Sequence, residues 1–73
     1  MTTYELVNSM RADGGVRLKS KATGNWFFLV DGGYVGFTPD PAVAWRFAES
    51  AAEQLVEWLL KFGYPVEVDN DQA

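Results

Sequence analysis

From Ala44 to Gly63 the chain reads AWRFAESAAEQLVEWLLKFG, and its apolar residues return every three to four positions. That period belongs to one amphipathic helix. On a wheel of about 100° per residue with Leu55 at zero, Ala51, Phe62, Leu55, Ala48, Leu59 and Ala52 fall between about −40° and +60° and form a core stripe. Trp58 flanks this stripe on one side, and Val56 and Leu60 extend it on the other, so the apolar arc is about 200° wide against roughly 100° for an ordinary surface helix. Ser50-Ala51-Ala52-Glu53 matches a capping box, in which serine and glutamate satisfy orphan amides reciprocally, and sets the start of the regular helix at Ser50. Gly63 stops it, and Pro65 prevents resumption. The width has two readings. A curved sheet and the Pro39–Phe47 loop cover both flanks, or one flank, either Trp58 or Val56 with Leu60, stays open for a second protein or a second copy.

Upstream the period shortens to two. Tyr4 to Ser9 alternates weakly and reads as a first strand, followed by a turn at Asp13-Gly14-Gly15. Val16 to Lys21 alternates cleanly, placing Val16 and Leu18 inward and Arg17, Lys19 and Lys21 outward. After a turn at Ala22-Thr23-Gly24-Asn25, Trp26 to Val30 is a continuous apolar strand. Asp31-Gly32-Gly33 makes a hairpin loop, and Tyr34 to Phe37 returns, with Gly36 marking a bulge or a close approach by another side chain. Asp40 caps a brief helical turn with Pro41 at its first position. Tyr64 to Val68 is a last strand, and residues from about 69 to 73 form a frayed tail. The reading is therefore a single domain over residues 1–73 of α+β class. It is a small antiparallel meander of three to four strands packed against one main C-terminal helix, with a short final strand. The expected core is Leu6, Val16, Leu18, Phe28, Val30, Phe37, Phe47, Leu55, Leu59 and Phe62.

Composition narrows how such a fold can be held. The 73 residues contain no Cys and no His, so neither a disulfide nor a thiolate or imidazole metal site is open to them. A chain this short buries only about 60% of its unfolded surface. Its stability is then on the order of 4–10 kcal/mol. Three Trp, three Tyr and five Phe supply the bulk of the apolar area instead. The lack of Cys fits a reducing cytoplasm. The first residues lack a basic region followed by an apolar run, so no signal peptide is read, and Met1 fits a complete reading frame. The longest apolar run, Trp26 to Val30, is far short of a membrane span.

The formal net charge of −4 is unevenly spread. Up to residue 36, Arg11, Arg17, Lys19 and Lys21 outweigh Glu5, Asp13 and Asp31. Beyond it, Asp40, Glu49, Glu53, Glu57, Glu67, Asp69 and Asp71 outweigh Arg46 and Lys61. This disfavours phosphate backbones as the main partner. Glu49, Glu53 and Glu57 recur every four residues and form an acidic stripe on the helix. It is either a solvated face or a contact for a basic partner. As an acid–base pair they are unconvincing, since no second titrating group lies near. The glycines follow neither phosphate-loop nor dinucleotide-loop spacing. Asp69-Asn70-Asp71 lacks the other ligands of an EF-hand. Nothing indicates a metal, a cofactor or a catalytic centre, and an enzyme is not the expectation.

Two resemblances bear on this. Val16 to Ser20 with Thr23-Gly24-Asn25-Trp26-Phe27, the Gly32-Gly33 turn and Phe47 resembles one repeat of the fascin-like β-trefoil pattern, without implying any ligand site. From Tyr34 onward, the order of hairpin, Ala44-x-x-Phe47, serine cap, amphipathic helix and Val66–Val68 strand resembles the small accessory proteins of bacteriophages and prophages, among them anti-CRISPR and other host-takeover inhibitors. That resemblance implies a non-enzymatic protein-binding module that inhibits a host protein or protein complex, in the host cytoplasm if phage-encoded. The expected contact surface is Glu49, Glu53, Glu57, Trp58, Leu60, Trp26 and Tyr34. A homodimer through the helix flank is a further possibility. The alternative is a nucleic-acid or small-ligand module using the Arg17, Lys19 and Lys21 face.

Overall fold

The structure, a computed structural model, describes residues 3–30 and 34–69. It runs α1 (Thr3–Ser9), β1 (Arg11–Ser20), β2 (Trp26–Val30), β3 (Tyr34–Thr38), α2 (Glu49–Lys61) and β4 (Val66–Asp69). The four strands form one antiparallel sheet in the order β3-β2-β1-β4. This is the α+β meander, main helix and short final strand that the periodicity predicts. The expected Asp31-Gly32-Gly33 loop, the Val30 side chain and residues 70–73 of the expected tail lie outside the described residues.

The first segment is a helix, not a strand. Tyr4 and Val7 stand three apart, and both turn to the core. Tyr4 meets the Trp45 ring edge-on at 5.6 Å between centroids, and Val7 is buried. This three-residue spacing overrides the weak alternation, and it turns Leu6, an expected core residue, outward at 48% exposure. The Ser9 hydroxyl donates to the Leu6 carbonyl, and the Met10 amide to that of Val7, closing the last turn.

The second difference lies at Gly14-Gly15, which is part of β1 and not a turn between elements. Arg11 and Val16 both bridge Phe47, so the intervening residues bulge around a single partner residue. Gly14 supplies the positive φ of +73°. Gly15 is required for space: a Cβ there would stand 2.2 Å from the Phe47 carbonyl oxygen. The approach exists because Trp45–Phe47 is extended, although the helical period had claimed it. This segment wedges between β1 and β2 where their own pairing stops at Lys19 and Trp26. The Trp45 amide donates to the Phe27 carbonyl and the Ala12 amide to that of Arg46.

α2 therefore starts later than the full periodic stretch and earlier than the capping box. Its N-cap is Ala48, with no side-chain cap, and Ser50 lies inside the first turn. Its end agrees with the sequence. Gly63 has φ +89°, the Gly63 amide donates to Leu60 and the Tyr64 amide to Leu59, which is the Schellman arrangement. Ala52, Leu55 and Leu59 carry its buried face. Phe62 is 63% exposed, contrary to expectation, because as the C-cap it leaves the helical path and lies against Trp58 instead.

The core joins these three residues to Val7, Val16, Leu18, Phe27, Leu29, Trp45, Phe47 and Val66. Within the apolar run of β2 it is Phe27 and Leu29 that face inward. Phe28 is only half-buried, because its ring covers Gly36 of β3, where a Cβ would come within 3.0 Å of it. Phe37 is half-buried too, edge-on to Phe27. Asp40 does accept from the Ala42 amide at 2.9 Å, as its capping role predicts.

Candidate protein-docking groove

Two short helices that meet on one side of a sheet leave a depression where their side chains fail to interlock. Here α1 contributes Leu6, Val7 and, just past its end, Met10; α2 contributes Gln54, Leu55 and Trp58. The groove encloses about 220 Å³. Val7 and Leu55 form its buried floor, while Leu6 stands exposed at its edge. Trp58 is half-buried and meets the Phe62 ring edge-on at 5.0 Å, so the apolar surface continues past the groove to the C-cap. The helices carry Glu5, Glu49, Glu53 and Glu57 against Lys61, so the helical layer as a whole is net negative, although no glutamate lines the groove itself.

The other expected contact residues do not gather here. Glu49, Glu53 and Glu57 are exposed along α2, and Leu60, 61% exposed, lies on the flank away from Trp58. Trp26 and Tyr34 belong to the sheet face opposite the core. Tyr34 is exposed there, but Trp26 is engaged: its indole N–H donates to Asp69 at 2.7 Å. Asp69 is thus an ordered member of β4, although it was expected at the head of the frayed tail.

The basic stripe also changes. Lys21 is exposed and Lys19 half-exposed, but Arg17, expected outward, is only 5% exposed. It pairs across the strands with Asp69 at 3.4 Å and donates to the Pro41 carbonyl. Its guanidinium stands 5.5 Å from the centroid of the Trp26 ring, and the Lys19 ammonium 5.6 Å. The strand alternation was right about the face. It missed that the loop after β3 and the end of β4 cover that face at Arg17.

Leu6, Val7, Met10 and Gln54 are the groove residues that sequence reasoning missed as such. The signal was present in the Tyr4-x-x-Val7 spacing, which leaves Leu6 off the buried side once the segment is helical. Among the described residues, no group of acidic, His or Cys side chains could hold a metal ion, and no helix is long and apolar enough to cross a membrane. No family model, curated protein or solved structure matches the chain.

Proposed function

We propose that this chain is a non-enzymatic protein-binding module, a phage-type accessory protein that binds and inhibits a host protein, and that the α1–α2 groove is its contact surface. The occupant is an apolar side chain carried on a basic segment of the partner. The observation that carries the reading is the unfilled apolar groove edged by Leu6 and Trp58 inside an acidic helical layer. A Trp in a desolvated depression is the residue type on which binding energy concentrates, and the glutamates favour a cationic partner and speed its approach. The nucleic-acid alternative is weakened by Arg17, whose charge is already matched by Asp69.

The test is affinity capture from host lysate with the wild-type chain and Trp58→Ala side by side, followed by calorimetry on the purified partner. Trp58→Ala lowers affinity by about thirtyfold. The pair Glu53→Lys and Glu57→Lys weakens binding and flattens its salt dependence. Equal affinity of wild type and Trp58→Ala overturns the groove. Light scattering on the free chain separates a second copy from a foreign partner: concentration-dependent dimers abolished by Trp58→Ala make the occupant this chain itself and overturn the host-protein reading.

A further inference from the structure

A larger cleft, about 550 Å³, is lined by Asn8, Arg11, Ala12, Asp13, Gly14, Ala42, Ala44 and Arg46. It holds two of the three arginines of a chain whose net charge is −4. Both are positioned by the fold. The Arg11 guanidinium lies 4.3 Å from the centroid of the Trp45 ring, and its Nη1 reaches Asn8 Oδ1 at 3.5 Å. Arg46 Nη1 donates to the Gly15 carbonyl at 2.8 Å, on the same bulge that Phe47 fixes. Among the described residues neither is in an ion pair, in contrast to Arg17. A guanidinium has five N–H donors, so each keeps donors for a ligand.

We propose that this cleft binds a small phosphate monoester. Two guanidiniums in one lining suit a dianion with several acceptor oxygens, and the 2.8 Å bond that holds Arg46 before binding lowers the ordering cost there. The volume lies in the range of small-molecule sites. Asp13, in the same lining, repels a polyanion. It accepts instead from a hydroxyl on the organic part of the ligand, which makes a phosphorylated polyol, such as a sugar phosphate, the preferred class. This inference does not depend on the groove.

The experiment is an amide and arginine Nε–H NMR titration at low ionic strength, with glucose 6-phosphate, inorganic phosphate and glucose as separate arms. The expected result is saturable shifts at residues 11–14 and 44–46, tightest for glucose 6-phosphate and absent for glucose. Arg11→Gln and Arg46→Gln each weaken binding about tenfold, the scale of one charge-assisted contact, while the amides of Leu59 and Val66 report an intact core. Asp13→Asn narrows the gap between glucose 6-phosphate and phosphate. Shifts that never saturate, or that follow every exposed cation alike, overturn the proposal, as does saturable binding unchanged in both arginine variants.

Discussion

The seam where Trp45–Phe47 meets β1 and the seam where α1 meets α2 draw on the same kinds of apolar residue, yet they close differently. At the first, backbone hydrogen bonds and rings interlock. The Ala12 amide holds Arg46, the Trp45 amide holds Phe27, and the Phe47 ring sits 6.0 Å from that of Phe27 with no exposure. At the second, Val7 and Leu55 touch the core while Leu6 and Trp58 leave a groove between them. A domain without a disulfide concentrates its stability where chain crossings can be made close. It leaves apolar surface open where a short helix is anchored by only part of its length. Substitutions at the first seam should therefore register in stability, and those at the second in binding.

Phe47→Ala gives the largest effect. Emptying the site of a fully buried ring costs about 3–5 kcal/mol, a large part of the total for a chain this size. Urea unfolding followed by tryptophan fluorescence reads it. An effect below about 1 kcal/mol breaks the comparison, because the wedge is then not the clamp. Gly15→Ala follows, at about 3 kcal/mol. The added Cβ meets a backbone oxygen, which has no rotamer by which to give way. Ala at Gly14 strains φ but meets no atom, so it costs less than Ala at Gly15.

These two glycines also show where the sequence could be read and where it could not. Gly-Gly after an aspartate has the composition of a turn, and only the tertiary approach of Phe47 makes it a bulge inside a strand. Likewise Trp45 and Phe47 keep the helical period, yet the backbone donors and acceptors of β1 and β2, left unpaired past Lys19 and Trp26, recruit them as extended chain. Features set by local chemistry were legible: Val16 and Leu18 inward, the Asp40 turn, the Gly63 stop and the Leu55–Leu59 stripe. Those set by distant contacts were not, and the groove is one of them. It exists only because α1 is a helix, which rests on Tyr4 meeting Trp45 forty-one positions away.

The ends of α2 sharpen the comparison at a smaller scale. Gly63→Ala costs about 1–2 kcal/mol, since φ +89° is unfavourable for any residue with a Cβ. Ser50→Ala changes stability by about 0.5 kcal/mol or less, because Ser50 caps nothing. Ala48→Ser supplies the missing acceptor at the true N-cap and adds about 0.5–1 kcal/mol. Thermal melts of the three variants check this order. A loss of about 1 kcal/mol in Ser50→Ala would restore the capping box.

The smallest effect on stability separates two exposed leucines. Leu6 edges the groove, and Leu60 lies on the opposite flank of α2, outside the lining of that groove. Leu6→Ser and Leu60→Ser should unfold at urea midpoints that differ by little, about 0.5 kcal/mol, because neither side chain fills the core. Their binding should differ strongly. Leu6→Ser removes part of the wall that excludes water from Trp58 and lowers partner affinity about tenfold, whereas Leu60→Ser leaves it unchanged. The reverse result moves the contact to the Val56–Leu60 flank and its acidic neighbours Glu49 and Glu53, and the α1–α2 seam becomes only an imperfectly closed part of the core. Exposure alone does not distinguish the two leucines. What distinguishes them is that Leu6 shares the lining of one groove with Trp58, one helix away, where a third side chain can be enclosed.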